Sequence, residues 1–256
     1  NNQKSISDAL ELMQEHQVSG ILIAAYFHQE IKLPNTNFRN LVFANCYPDQ
    51  GDHPAYVPAE ESSFSQSLRV LGISGHKNVG LIMDSHPWPA VTGRTKSFFD
   101  AAEHFGWVNP SGRIYRVAGT NADDGYKATL EMMLRDSSIT AIAAYNDRLA
   151  MGAYQALNEL KIPVPSQVSI VGFDDLELIS GGLRPGLTTV RLPHYQIGRE
   201  AVEQLIQICE QKDESAKQKV EIQGELIVRD SVTVPRQVSS ALPLAEVSTS
   251  NNENEE

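Results

Sequence analysis

Apolar and polar positions alternate between two periods along most of this chain, and the switch between them predicts its elements. Ile6, Ala9, Leu10 and Met13 recur at helical spacing behind Ser5-x-x-Asp8, a capping-box pattern, so a short helix is expected there. Val18 to Ala25 is nearly all apolar and reads as a buried strand ending at Tyr26. Leu41 to Ala44 reads as a second strand, closed by Asn45. Tyr56 to Glu61 is expected as an extended link and Ser62 to Leu71 as a helix with Phe64, Leu68 and Leu71 on one side. Val79 to Met83 follows as a strand reaching Asp84. His86-Pro-Trp-Pro89 cannot lie inside a helix, because proline lacks the donor and restricts its predecessor. Phe98, Phe99, Ala102 and Phe105 then line a helix that Gly106 can terminate.

The second half repeats the alternation. Ile114 to Val117 predicts a strand. Asn121, Asp123 and Asp124 suit a helix start, followed by an apolar stripe of Tyr126, Leu130, Met133 and Leu134. Ile139 to Ala144 is a strand stopping at Tyr145-Asn146-Asp147. Leu149, Ala153, Ala156, Leu157 and Leu160 make the next helix, and Val168 to Phe173 a strand ending in Asp174-Asp175. Strand, helix and strand so close together form a βαβ unit with parallel, neighbouring strands. Leu187 to Leu192 and an amphipathic helix with Ile197, Ala201, Leu205 and Ile208 follow. Val220 to Val228 alternates with strand period. The fold class is α/β, with parallel sheets covered on both faces.

Several strands stop at a group that can hydrogen-bond a polar ligand: Tyr26, Asn45, Asp84, Asn146 and Asp174. Parallel sheets bind ligands beyond their carboxyl ends, so these residues are expected to face a wet cleft. Asp147 is expected to cap the helix beginning near Arg148.

Composition narrows the function classes. A chain of 256 residues suits one large domain or two lobes of about 120 residues each. No apolar run approaches the roughly 20 residues a membrane helix needs, and the first residues lack the order of a secretion signal. A net charge of −11 without a basic stripe makes the chain itself a poor binder of nucleic acid. The two cysteines, Cys46 and Cys209, read as thiols in a reducing, cytoplasmic compartment rather than a disulfide framework. The histidines show no metal-ligand spacing, Gly72-Ile-Ser-Gly75 is not a nucleophile elbow, and no phosphate loop is present. No enzyme, cofactor or metal is therefore expected. Arg236 to Glu256, rich in Ser, Asn and Glu, is expected to be disordered.

Four phrases, in order, carry a resemblance. Asn146-Asp-Arg-Leu-Ala-Met-Gly152, Val164-Pro-x-x-Val-Ser-Ile-Val-Gly-Phe-Asp-Asp175, Pro185-x-Leu-Thr-Thr-Val190 and Leu226-Ile-Val-Arg-Asp-Ser231 resemble the effector-binding region of the LacI/GalR (lactose-repressor) family of transcription regulators. Gly75-His76 before a strand and Arg94 before an aromatic-rich helix fit the same pattern. The resemblance runs from about Ser5 to Val234 and implies two Rossmann-like lobes of periplasmic-binding-protein type I. Three crossovers would join them, near Pro58, Pro193 and Gly224. One lobe would be residues 1–58 plus 194–223, the other 59–193 plus 224–235, with 236–256 a tail.

The resemblance further implies a small effector between the lobes, a homodimer, and operator DNA bound through a helix-turn-helix headpiece that this sequence does not contain. The start of the amino-terminal lobe is also missing by this comparison, which points to an incomplete sequence. The Asp-Asn pair usual near the first crossover is replaced around Pro58-Ala-Glu60. Carried over residue by residue, the resemblance makes Arg94 and Asp174 effector contacts paired across the cleft, with Asn146 beside them. Trp88 is either a stacking face for the guest or a half-buried loop residue. Asn45, Tyr26 and His194 are further lining candidates. Met151 and the Gly181, Gly182 and Leu183 loop are implied at the dimer face. A sugar suits the polar termini better than a purine. A secreted solute-binding protein of the same fold remains the alternative.

Overall fold

The structure is a computed structural model and describes residues 2–36, 38–211 and 219–237. Its elements follow the alternation read from the sequence, arranged in two parallel sheets. The first sheet takes β1 (Ile21–Ile31), β2 (Leu41–Pro48), β3 (Ala55–Pro58) and β9 (Lys219–Ile222) in the order β1-β2-β3-β9, every pair parallel. Helix α1 (Asn2–Glu15) sets Leu10 against Leu41, Phe43, Cys46 and Ala55 on one face. Helix α7 (His194–Cys209) sets Ile197 and Ala201 against Val42, Ala44, Tyr56 and Ile222 on the other.

The second sheet has the order β5-β4-β6-β7, from β4 (Val79–Asp84), β5 (Ile114–Val117), β6 (Ala141–Ala144) and β7 (Ser169–Val171). These pairs are parallel too, and β6 beside β7 is the neighbouring pair expected of the βαβ unit. Helices α2 (Glu60–Ile73) and α3 (Pro89–Phe105) cover one face through Phe64, Leu68, Leu71 and Phe98. Helices α4 (Ala122–Arg135) and α5 (Asp147–Glu159) cover the other through Met132, Met133, Leu149, Ala153 and Leu157. Strands buried on both faces are largely apolar, which is why Ala141–Ala144, and Val79–Asp84 up to its terminal Asp84, read as continuous runs.

Helices α4 and α5 touch backbone to backbone. A Cβ on Gly152 would lie 1.9 Å from the Ala122 carbonyl oxygen, so no larger residue fits there without moving a helix. Their ends follow sequence chemistry. Asn121 and Asp124 form the reciprocal capping box of α4, and Gly106, at φ 64°, closes α3 in the left-handed region.

Beyond β7, the strand β8 (Thr189–Arg191) pairs antiparallel with β10 (Glu225–Ile227). Single bridges, Val171 with Thr188 and Asp174 with Arg191, tie β8 alongside the end of β7. The chain passes between the two groups of strands three times: after β3 at Pro58, between β8 and α7, and between β9 and β10. At the last passage the Gly224 N–H donates to Ser63 Oγ at 2.8 Å and its carbonyl accepts from Gln66 Nε2 at 2.8 Å.

Several boundaries differ from the sequence reading, each for a local reason. Helix α1 begins at Asn2, so Ser5 falls inside it rather than capping it. The first strand does not stop at Tyr26. It continues to Ile31 after an irregularity that takes it five residues forward, from Ala24 to Gln29, while β2 advances two, from Ala44 to Cys46. Asn45 does not close β2 but turns within it at φ 57°, and the strand runs on to Pro48. The expected link over 56–61 is instead an inner strand, β3, followed at once by α2. Leu134 points outward, 61% exposed, because the buried stripe of α4 passes through Ala128, Thr129, Met132 and Met133. The single strand expected over 220–228 is two strands in different sheets, β9 and β10, separated at Gly224. The tail expected from 236 lies, beyond residue 237, outside the described residues.

Candidate functional site

A cleft of about 670 Å³ opens between the carboxyl ends of the two sheets. All seven residues expected to contact an effector line it: Tyr26, Asn45, Trp88, Arg94, Asn146, Asp174 and His194. What each side chain does there differs from the reading of the sequence in instructive ways.

Arg94 lies at the floor, 3% exposed, on α3. Its expected partner was Asp174. The structure instead pairs it with Glu60 in the first turn of α2: Nε donates to Glu60 Oε2 at 2.8 Å and Nη2 approaches the same oxygen at 2.7 Å. Nη1 donates to the Tyr145 carbonyl at 2.6 Å. The guanidinium carbon sits 3.7 Å from the Phe173 ring centroid and 4.4 Å from that of Tyr145. A planar, weakly hydrated cation suits this aromatic slot, where an ammonium would not. The other Glu60 oxygen, Oε1, contacts His28 Nδ1 at 3.1 Å. Arg94 and His28 together, against the cost of burial, hold the Glu60 carboxyl below the usual carboxylate range.

Asp174 stands differently. Its backbone N–H donates to Val190 and its carbonyl accepts from Leu192, while φ is 110°, outside the regions an L side chain prefers. The carboxylate has no hydrogen bond or ion pair among the described residues. Burial pushes its pKa up to about 8, opposed by Arg94 and reinforced by Asp147 and Glu60. A protonated carboxyl held at a strained corner and facing a cleft offers a guest's hydroxyl one donor and one acceptor oxygen.

Asn146, not Asp147, caps α5. Its backbone is extended (φ −147°, ψ 172°), its Oδ1 accepts from the Leu149 N–H at 2.9 Å, and its Nδ2 donates to the Thr120 carbonyl at 3.3 Å. The cap belongs to the last residue before the helical dihedrals begin, and Asp147 is already the first helical residue. Asp147 is fully buried and ties three elements together. It accepts from Thr189 Oγ1 at 2.7 Å and from the Leu176 N–H at 2.8 Å, and burial raises its pKa to about 7.

The irregularity in β1 builds the opposite wall. The extra residues between Ala24 and Gln29 leave the ladder, and a bulge re-aims side chains, here Tyr26, Phe27 and His28 into the cleft. Asn45 holds it: from its left-handed turn, Nδ2 donates to the carbonyls of Ala25 at 3.0 Å and Tyr26 at 3.2 Å. Phe27 faces Trp88 across the cleft, rings 15° from parallel with centroids 6.3 Å apart. Trp88 also lies against His86 at 6.0 Å. Tyr26 is 77% exposed at the rim, and His194 enters at the start of α7. Sequence reasoning missed Phe27, His28 and the role of Glu60. The signal for the first two was the apolar-polar run continuing past Ala25; for Glu60 it was the departure noted at the first crossover.

Of the residues implied at the dimer face, Gly181 and Gly182 are exposed, Met151 half-buried, and Leu183 packs partly on the core under α5. Among the described residues no group of three His, Cys, Asp or Glu could hold a metal ion, and no helix is long and apolar enough to cross a membrane.

Comparison with known proteins meets this geometry directly. The periplasmic binding protein-like domain family matches residues 70–232. Over 235 residues the chain is 32% identical to the HTH-type transcriptional repressor PurR of Haemophilus influenzae (strain ATCC 51907 / DSM 11121 / KW20 / Rd), covering 90% of this chain and 69% of the relative. The chain belongs to the LacI/GalR family. It is the periplasmic-binding-protein-like, ligand-binding core of that family, and the two-sheet arrangement around a cleft is the family's. The HTH-type transcriptional regulator GalR of Escherichia coli (strain K12) is 32% identical over 146 residues, 57% of this chain. The chain spans 42% of that GalR's length. In fold, a LacI-family regulatory protein from Chloroflexus aggregans superposes with a TM-score of 0.76 at 23% identity, over 91% of this chain and 83% of the other. The curated relatives, GalR and PurR, are transcription regulators by name, not enzymes.

Proposed function

We propose that this chain is the effector-sensing and dimerising core of a cytoplasmic transcription regulator, with a small polar guest bound between two lobes. The lobes are residues 1–58 plus 194–223 and 59–193 plus 224–235. Supporting this division, every strand of the first sheet comes from the first set and every strand of the second sheet, with β8 and β10, from the second. Operator DNA is contacted through a helix-turn-helix headpiece of the whole protein, since a core with a net charge of −11 is itself a poor binder of phosphates. That the relatives named above are regulators supports this reading over a secreted solute-binding protein.

The observation that carries the proposal is the partnerless Asp174 carboxylate beside a cleft walled by both sheets. A guest gripped there touches Asp174 and Asn146 on one side and the β1 bulge on the other. It therefore favours the closed arrangement of the lobes, and the shift it can cause is limited by its differential affinity, commonly about 1–3 kcal/mol. A sugar fits better than a purine: the lining offers acids and amides for hydroxyls, with Trp88 and Phe27 as faces for a ring's C–H side.

Thermal-shift screening tests this directly, with D-glucose, D-galactose and D-ribose against adenosine, guanosine and hypoxanthine. A guest at 100 times its Kd adds roughly 2.7 kcal/mol to stability. At least one sugar is expected to raise Tm, and Asp174→Ala to abolish the rise. A shift from the purines alone overturns the sugar assignment, and a shift retained in Asp174→Ala overturns the site.

A further inference from the structure

We infer that the cleft is built for a guest without negative charge, a neutral or ammonium-bearing hydroxylated ring, because Glu60 already occupies the anion seat of Arg94. This rests on the proposed effector site and deepens it. Three observations on opposite sides of the cleft floor point the same way.

First, an arginine recognises a phosphate or carboxylate through its fork of N–H groups, and here that edge is taken. Nε and Nη2 meet Glu60 Oε2, Nη1 meets the Tyr145 carbonyl, and Phe173 and Tyr145 cover the guanidinium face. The remaining N–H groups on Nη1 and Nη2 can donate to a neutral hydroxyl oxygen, but the positive charge is spent within the protein. An anion entering here would have to displace a carboxylate that is itself only 6% exposed. Doing so would strand Glu60 as an unpaired buried charge, which is strongly unfavourable.

Second, the free functional groups at depth are acceptors or neutral. Asp174 presents a carboxyl that no protein group engages and that burial holds protonated through neutral pH, so it offers a guest's hydroxyl one donor and one acceptor oxygen. His28 Nε2 is buried with no partner among the described residues, while Nδ1 is held by Glu60. Together they complement hydroxyls, which both donate and accept, or an ammonium, which donates.

Third, the other charges lining the cleft are already bonded within the protein or lie at the rim. Asp175 is paired with Arg191 at 2.8 Å and Arg229 at 2.8 Å, and Asp84 Oδ1 is taken up by the His86 N–H at 3.0 Å and ring Nδ1 at 2.6 Å. Arg148 and Glu177, of opposite sign, are exposed, where water and salt screen them.

The test uses matched probes on the wild-type chain, so that it does not depend on any variant folding. D-glucose is compared with D-glucosamine, glucose 6-phosphate and glucuronate, and D-galactose with D-galactosamine, galactose 6-phosphate and galacturonate, by calorimetry and thermal shift. Each anionic member is expected to bind at least tenfold more weakly than its neutral parent. An anion that binds as tightly as its parent, or more tightly, overturns the inference while leaving the cleft intact as an effector site. If no probe of any charge binds, the effector reading falls and this inference with it.

Glu60→Gln supplies an independent arm. Removing the carboxylate leaves the buried guanidinium unpaired, so Tm should fall, and sodium phosphate or glucuronate should restore part of the loss in the variant alone. Equal responses to phosphate in variant and wild type, at matched ionic strength, would overturn the assignment of Glu60 as the resident anion. If Glu60→Gln does not fold, the matched probes alone decide.

Discussion

At the scale of single residues, the site is a division of labour among charges that look alike in the sequence. Arg94 and Glu60 neutralise each other beneath the floor, Asp147 braces a loop, and Asp174 alone among these has no side-chain hydrogen bond or ion pair among the described residues. Arg94→Ala is therefore a poor probe of binding. It would bury Glu60 without its cation, a loss of about 3–5 kcal/mol, and the fold would suffer before the guest did. Asp174 offers a cleaner measurement through pH. Its pKa is raised from 3.8 to about 8, so the native state holds a proton that the unfolded chain has released. Its contribution to stability is full below pH 3.8 and is lost as pH rises through 8. Asp174→Asn removes that titration, and asparagine tolerates positive φ at least as well. The variant should match wild type near pH 4 and exceed it at pH 8 by about 1 kcal/mol or more, read as about 2–4 °C in Tm for each kcal/mol. Equal pH profiles for the two proteins would contradict the burial of that carboxyl. Arg94, Asp147, Glu60 and Arg148 are the charged neighbours that tune it.

At the scale of elements, the cleft is made by two departures from regular structure, the bulge of β1 and the start of α5. Asn146 caps α5 while lining the cleft, so its side chain is committed to the helix through Oδ1 and to the Thr120 carbonyl through Nδ2. Asn146→Ala should cost about 1 kcal/mol in urea unfolding, and Asn146→Asp much less, because aspartate caps equally well. A loss as large in Asn146→Asp would mean that the Thr120 contact, not the cap, carries the effect.

Which elements were legible follows from the same physics. Strands buried on both faces, such as β4 and β6, and helices with a strong stripe, such as α5, announce themselves by period alone. The bulge in β1 does not, because its cause is long-range: the Asn45 amide on β2 grips carbonyls about twenty residues earlier in the chain. The β9–β10 split was equally silent, since Val220 to Val228 keeps a strand period across Gly224 even though its halves join different sheets. Tyr26, Asn45, Asn146 and Asp174 could be named because their apolar runs read as strands ending there, where parallel sheets place ligands, whereas Arg94, Trp88 and His194 were legible only through the family resemblance. Their partners could not, since Glu60 reaches Arg94 from a different helix.

At the scale of the whole molecule, the proposed regulator must convert occupancy of the cleft into a change in how two copies sit together. Three stretches of chain link the two sheets, at Pro58, Pro193 and Gly224, and two of them are tied locally: the Ala59 N–H donates to the Ile222 carbonyl at 2.8 Å, and Gly224 is bonded to α2 through both its N–H and its carbonyl. In the proposed regulator, a hinge of this kind would turn one lobe against the other, and closure would reach a dimer face as a reorientation. The implied face includes the outer side of α5 at Met151, half-buried within one chain, and the exposed Gly181-Gly182 turn beside Leu183. Met151 and Leu183 would there complete their burial against the partner's copies, as a two-fold interface pairs each patch with itself. A carboxylate at the centre of that patch would face its own image across the two-fold axis, an unpaired like-charge pair in a drying interface. Met151→Asp should therefore shift sedimentation velocity from dimer to monomer by weakening association at least tenfold, while circular dichroism and the sugar-induced thermal shift persist, because Asn146 at the start of α5 lines the cleft and Met151 does not. A variant that sediments unchanged would move the dimer face elsewhere on the molecule and leave the cleft untouched.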